Sequence, residues 1–303
     1  MEREFLNWLR TQMSGSEAVV LGPSDDCAIV NVSPGCQQVL TTDMLMDGVD
    51  FVCDQHDSTQ IGRKCMAVNL SDLAAMGATP KFALVSLSLP HAWSVGETQK
   101  LMTGILSMSQ EYGISVVGGD TNRWDRPLVV SITAIGEVAI GEAWQRSGAQ
   151  VGDRLVVTGP CGGSLLHKHL HFLPKILEAN WLREKSGIHA AIDISDGLAW
   201  DTFQLAKASG LSAILNESDI PVAQDAVTRS KETGWSPLQH AMEDGEDFEL
   251  VLAVEPESLL SLQKDWPFEQ PLVDFGEIVE DDGFWVRRPD GSMSNYRPEG
   301  YEH

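Results

Sequence analysis

The sequence predicts an α/β protein of the α+β kind, built from two domains. Three observations carry this reading. With 303 residues the chain is long enough for two ordinary domains, each with its own core. Across residues 1–146, apolar runs of strand period are interleaved with segments of helical period, the pattern of a mixed sheet carrying helices. Across residues 147–303 a similar plan of strand, acid-tipped turn and helix returns, after a hinge-like Gly148 to Asp153 (GAQVGD).

Taken in order, Glu4 to Met13 has Phe5, Leu6 and Leu9 placed as the inner face of a short helix. Val19 to Asp26 leads into a strand at Ala28 to Val32. A second strand, Gln38 to Thr42, is expected to end at Asp43, with a Gly35 turn making the two a hairpin. Met66 to Pro80 (MAVNLSDLAAMGATP) reads as a helix with Asp72 at its centre. Val68, Leu73, Ala75 and Met76 give it a buried face, and Gly77 and Pro80 stop it. Phe82 to Leu89 alternates as a half-buried strand does. Glu97 to Tyr112 is helical, with Leu101, Ile105, Met108 and Tyr112 on one stripe. Ile114 to Val117 is a short strand running into Gly118-Gly119-Asp120-Thr121, and Leu128 to Val138 is a further strand.

Beyond the hinge, Arg154 to Thr158 is a strand and Gly159 to Gly163 a glycine-rich turn before a helix. Ala190 to Ile194 is an apolar strand holding Asp193, followed by Ser195-Asp196-Gly197 and a helix from Leu198 to Ala208 that Gly210 ends. Asp244 to Val254 (DGEDFELVLAV) is an acid-rich loop entering a strand. Leu272 to Glu277 and Phe284 to Arg287 are short strands.

Composition narrows the function. The net charge of -23 repels nucleic acid and anionic membranes, but leaves room for a nucleotide whose phosphates are bridged by a divalent cation. No apolar run reaches the ~18 residues of a membrane span, and the opening MEREFLNWLR has no signal-peptide pattern, so a cytoplasmic location is expected. Cys27, Cys36, Cys53, Cys65 and Cys161 form no CxxC pair and no zinc spacing. GxxxxGK[ST], GxSxG and HExxH are all absent. His167, His169 and His171 alternate as residues at a helix end or on one strand face do, rather than as a zinc site.

What remains is one device used repeatedly: an aspartate flanked by Gly, Ser or Thr beside an apolar segment. It occurs at Asp25 and Asp26, at Asp43, at Asp72, at Asp120, and at Asp193 and Asp196. An ionised carboxylate in such a setting is costly unless a cation or a hydrogen-bond network compensates it. Magnesium takes a few carboxylates together with water and substrate phosphates. Phosphoryl transfer is the chemistry such a set suits best, because its transition state needs positioned phosphates and neutralised charge more than a protein nucleophile. Arg146 could add a cationic contact to a phosphate.

The runs TTDMLMDGVDF, AVNLSDLAAMGATP, VVGGDT, RSGAQVGD, IDISDG and DGEDFEL resemble, in order and spacing, the thiamine-monophosphate kinases of the aminoimidazole ribonucleotide synthetase-like superfamily. The resemblance implies an ATP-dependent kinase that phosphorylates thiamine monophosphate to thiamine diphosphate directly. It implies a homodimer paired through an N-terminal β-barrel, and a C-terminal α/β domain. It places magnesium on Asp26, Thr41, Thr42, Asp43, Asp72, Asp120, Asp193 and Asp196, with Asp43, Asp72 and Asp120 nearest the chemistry. It places ATP on Gly119, Asp120, Arg146 and Ser195, and the acceptor near Asp50, Glu246 and Pro298.

Departures from the family pattern gather on the acceptor side. Asp50 stands where the family has a histidine, Pro298 where it has an aromatic, Asp244 begins the usual GGED run, and His171 falls in a segment that loses an arginine. Two other readings therefore stay open: a related ATP-using enzyme with a different small acceptor, and a non-catalytic nucleotide- or thiamine-phosphate-binding homologue.

Overall fold

The computed structural model describes residues 5, 8–9, 11–12, 17–21 and 27–300. The expected N-terminal helix falls largely outside them, as do Asp25, Asp26 and the C-terminal Tyr301 to His303. The chain divides into two compact units, Met1–Leu73 with Ala78–Ala143, and Ala74–Gly77 with Trp144–His303.

In the first unit, β1 (Val19–Leu21) and β2 (Ile29–Val30) form a small antiparallel pair of their own. The principal sheet contains β3 (Cys36–Met46), β4 (Thr79–Pro90), β5 (Ser115–Trp124) and β6 (Val129–Ala139) in the order β3-β6-β4-β5. Its pairs are antiparallel except β4 with β5, so the sheet is mixed. The expected hairpin across Gly35 does not form: β2 pairs with β1, and β3 pairs with β6, about a hundred residues away. Nor does β3 stop at Asp43. Its register with β6 runs unbroken from Cys36↔Ala139 to Met46↔Val129. The β-branched Thr41 and Thr42 favour an extended chain, and ladder pairing outweighs the turn preference of an aspartate.

Two helices, α1 (Ser58–Ala75) and α2 (Val95–Glu111), accompany this sheet. They cross with backbones almost touching: a β-carbon on Gly62 would lie 1.9 Å from Leu101 O, and one on Gly104 would lie 2.0 Å from Thr59 O. Only glycine permits that approach. Ser94 caps α2 by accepting the Glu97 N–H at 3.1 Å, and Leu101, Met102, Ile105 and Met108 are its buried stripe. Leu73 of α1 reaches the sheet at Gly136, where a β-carbon would meet its side chain at 3.1 Å.

The second unit holds a seven-stranded sheet made of β7 (Arg154–Val157), β8 (Ile188–Asp193), β9 (Ser212–Asn216), β10 (Leu250–Val254), β11 (Val273–Val279), β12 (Phe284–Arg287) and β13 (Met293–Asn295). The order is β13-β12-β9-β11-β7-β10-β8, and only β12 with β9 is parallel. Its helices are α3 (Lys168–His171), α4 (Ile176–Arg183), α5 (Leu198–Ala208), α6 (Gln224–Thr233), α7 (Pro237–Glu243) and α8 (Pro256–Asp265). Leu198, Leu205 and Ala206 of α5 join Leu155, Val157, Ile192, Val251, Phe275 and Ile278 of the sheet in one apolar core. β10 is buried along its whole length, which explains its unbroken LVLAV run.

Candidate active site

In the first unit the acids are set by β3 and α1. Alternation along β3 puts Thr41, Asp43 and the buried Leu45 on one face, and the exposed Leu40, Thr42, Met44 and Met46 on the other. Thr41 Oγ1 donates to Asp72 Oδ2, tying the strand directly to the last turn of α1. One turn earlier on α1, Asn69 is fully buried and its Nδ2 donates to Cys65 O at 3.1 Å. Its Oδ1 is buried and receives no hydrogen bond from a described residue. Thr42 faces the other way, donating to Ile132 O at 3.2 Å and accepting from Thr133 Oγ1 at 3.1 Å.

Gly119 and Asp120 lie inside β5, which continues through GGDT instead of stopping at Val117. They sit in register with Val85 and Ser86 of β4. Gly119 has φ +154°, and a β-carbon there would lie 1.8 Å from Val85 O. The glycine is what lets β5 stay paired while Asp120 is exposed at this point.

Asp50 belongs to the loop after β3. Its Oδ2 accepts the Met46 N–H at 2.7 Å, and its carbonyl accepts from Lys64 Nζ at 2.6 Å. Lys64, on α1, is fully buried. The carboxylate thus closes its own loop, and a buried ammonium holds that loop to the helix.

In the second unit β8 ends at Asp193, which is buried. The turn that follows is fastened from α5: Asp201 Oδ2 accepts the N–H groups of both Ser195 and Asp196 at 3.0 Å each. Burial pushes the Asp201 carboxyl well above the usual carboxylate range, and the nearby Asp193 and Asp196 add to this while the two N–H groups oppose it. Glu246 N donates to Ser195 O at 2.8 Å, so the acid-rich loop lies along the same turn. Glu246 and Phe248 take left-handed backbone, with φ 62° and 51°. Such conformations cost free energy and mark a loop held by its surroundings.

Those surroundings are a buried ionic network. Asp247 Oδ2 accepts the Gly162 N–H at 2.7 Å, and Asp244 Oδ2 accepts the Gly163 N–H at 2.7 Å. Asp244 also meets His240 Nδ1 at 2.9 Å. Lys168 Nζ lies 2.9 Å from Glu249 and 3.4 Å from Asp247, while Lys175 Nζ lies 3.1 Å from Glu249. Burial pushes the Asp247 carboxyl up to about 7, against the pull of Lys168 and the Gly162 N–H. Burial acts on Glu249 in the same sense, but the two lysines and Thr158 overcome it and hold its carboxyl below the usual range. The glycine turn at 159–163 therefore has two of its N–H groups spent on side-chain carboxylates. In a phosphate-cradling loop those groups would be aimed at the ligand.

Arg146 is exposed, and its carbonyl accepts from Ser209 Oγ at 3.3 Å. Pro298 is buried. Beside it, Tyr296 Oη donates to Glu243, and Gly300 lies so near the Trp200 ring that a β-carbon would come within 2.5 Å. His169 is buried with Nδ1 3.0 Å from Ser164 O, as befits a residue of a short helix packed inward. Asp26 lies outside the described residues.

Among the described residues, no three His, Cys, Asp or Glu side chains converge closely enough to hold an ion alone. The donors are nonetheless all oxygens, presented singly or in pairs, and Asn69 offers a buried acceptor without a donor. That set fits magnesium, which keeps several waters and phosphate oxygens, rather than zinc or an all-protein cage. Sequence reasoning did not single out Asp201, Lys64 or the Asn69 amide. Asp201 had a signal, since it shares the apolar face of Leu198, Thr202 and Leu205, where an acid needs a partner.

A mixed sheet with a TTD strand bonded to an aspartate-bearing helix belongs to a wider class, and residues 24–138 match the family model of AIR synthase related protein, N-terminal domain. The chain is 39% identical to the thiamine-monophosphate kinase of Rhodopirellula baltica, over all of this chain and 97% of that protein. The solved thiamine-monophosphate kinase of Stenotrophomonas maltophilia K279a superposes with a TM-score of 0.83 at 30% identity, covering 96% of each chain. The structure described as AaThiL complexed with AMPPCP and TMP superposes with a TM-score of 0.78 at 26% identity, covering 99% of this chain and 95% of that one. The chain belongs to the thiamine-monophosphate kinase family.

Proposed function

We propose that the protein transfers the γ-phosphoryl group of ATP directly to thiamine monophosphate, giving thiamine diphosphate. The observation that carries this is the 39% identity to a thiamine-monophosphate kinase along the whole chain. The bonded Thr41–Asp72 pair agrees with it, and so does the relative complexed with AMPPCP and TMP. Asp43, Asp72 and Asp120, with Thr41, would hold magnesium on the first unit, while the Thr42 hydroxyl is committed to Ile132 and Thr133 on the opposite face. Asp193 and Asp196 would do so on the second, and Asp26 completes the set. When bound, magnesium supplies positive charge to the phosphate oxygens as the transferring group develops its negative charge.

The chain's own residues supply position and electrostatics rather than a nucleophile. Thr41 donates to Asp72 and fixes one carboxylate oxygen. Gly119, Asp120, Arg146 and Ser195 would contact the nucleotide, with the Arg146 guanidinium toward its phosphates. Glu246 and the Asp50 and Pro298 segments would face the acceptor. The kinase works as a cytoplasmic homodimer paired through the exposed face of its first-unit sheet, where Leu40 and Met44 are both 62% exposed.

The test is formation of thiamine diphosphate from thiamine monophosphate with magnesium and ATP, in wild type and Asp72→Asn. Turnover in wild type that collapses in the variant is expected. Nucleotide binding without turnover, or turnover only with another phosphorylated acceptor, would refute the reading.

A further inference from the structure

Asp201 makes an arrangement that packing alone does not require. It lies in the first turn of α5, 3% exposed, on the face that buries Leu198, Thr202 and Leu205. One oxygen receives two successive backbone N–H groups, from Ser195 and Asp196, at 3.0 Å each. A serine or asparagine would satisfy such a turn without bringing a third acid beside Asp193 and Asp196. Two N–H groups on one oxygen fix the peptide planes on both sides of Ser195. The rest of the turn is equally confined: Gly197 has φ 122° and runs against the carbonyls of Met242 and Glu243, and Ser195 O accepts the Glu246 N–H.

We propose that Asp201 is a positioning residue for the nucleotide-binding turn. By holding the N–H groups of Ser195 and Asp196, it sets the directions in which Asp193, Ser195 and Asp196 meet magnesium and the phosphates. Asp201 itself touches neither. This rests on the kinase reading and adds a specificity of geometry to it: the oxygen must stand where the aspartate side chain puts it, and its charge is secondary.

Asp201→Asn keeps an oxygen acceptor at the same place and loses the charge, whereas Asp201→Glu keeps the charge and moves the oxygen by one methylene. The measurement is calorimetric affinity for a non-hydrolysable ATP analogue with magnesium, alongside thermal unfolding and the KM for each substrate. Positioning predicts Asp201→Asn within a few-fold of wild type, and Asp201→Glu and Asp201→Ala weaker by about tenfold, the upper size of one lost hydrogen bond. The KM for ATP should rise while that for thiamine monophosphate holds. If Asp201→Glu binds the nucleotide as tightly as Asp201→Asn, the assignment falls. Should Asp201→Ala fail to fold, the Asn and Glu variants decide between them. A wild type that binds no magnesium nucleotide overturns the kinase reading instead, and takes this one with it.

Discussion

Single hydrogen bonds decide what several of these residues can do. Thr41 is the clearest case, because its hydroxyl is the donor that orients Asp72. Thr41→Val keeps shape and strand propensity but removes the donor. The expected result is a loss of about 1.5 kcal/mol of transition-state stabilisation, roughly a tenfold fall in kcat with stability little changed, read from steady-state kinetics and thermal unfolding. Gly119 is constrained by space instead. Gly119→Ala sets a β-carbon 1.8 Å from Val85 O, so the β4–β5 ladder must open, at a cost of more than about 3 kcal/mol. Circular dichroism and denaturant titration would register it. Asp50 has a structural use that its residue type does not announce. In sequence it stands where the family has a histidine, and in the structure its carboxylate accepts the Met46 N–H and closes a loop. That use of an aspartate is local and leaves no periodic trace, so no pattern in the chain announces it.

At the scale of elements, α5 fastens two segments that the sequence shows only as separate motifs. Its first turn carries Asp201, holding Ser195 and Asp196. Its C-cap, Ser209, accepts the Gly148 N–H at 3.2 Å and the Ala149 N–H at 3.1 Å while donating to Arg146 O. The helix itself was fully legible, since Leu198 to Ala208 has the right period and Gly210 closes it. Its ties were not, because they run from side chains to backbone distant in sequence. The strands show the same limit: Phe284 to Arg287 was readable end to end, whereas β3 and β5 extend through acids and glycines that a local reading assigns to turns. The network behind the acid-rich loop gives a pH prediction. Asp247, raised to about 7, holds its proton more tightly in the folded chain than in the unfolded one. Its contribution to stability is therefore full below the ordinary aspartate range, ~4, and is lost as pH rises through about 7. Glu249 acts oppositely, and only as pH falls through its lowered range. Between these ranges Asp247, whose facing charges are Lys168 and Glu249, lowers stability as pH rises, in the same sense as the raised carboxyls of Asp201, Glu178 and Glu243. Asp247→Asn keeps an acceptor for Gly162 and should lessen that slope, leaving the share of the other raised carboxyls, in denaturant titrations across pH.

At the scale of the molecule, the charge and the exposed sheet face bear on each other. A net charge of -23 makes any two copies repel, so association needs a surface free of that charge. The outward rows of the first-unit sheet provide one. Leu40, Thr42, Met44 and Met46 of β3 lie in register with Ile135, Thr133, Ser131 and Val129 of β6, and Leu84 and Ser86 of β4 continue the rows before Asp120 of β5 brings an exposed acid beside Ser86. Leu40 and Met44 are each 62% exposed and Met46 39%, a run of apolar exposure on paired strands that marks an interaction surface. Alternation along β3 could be counted in the sequence, but which of its faces stays uncovered depends on where α1 and α2 pack, and that is decided by the fold. If this face pairs two copies, sedimentation velocity should give about twice 33.1 kDa, with little response to salt because uncharged side chains form the contact. Met44→Glu places like charges opposite each other across a two-fold axis, where desolvation and repulsion act together, and should release monomers of 33.1 kDa that keep the wild-type circular dichroism spectrum. A wild type that sediments as a monomer at assay concentration, or a Met44→Glu variant that stays dimeric, would show that the face is not the dimer contact.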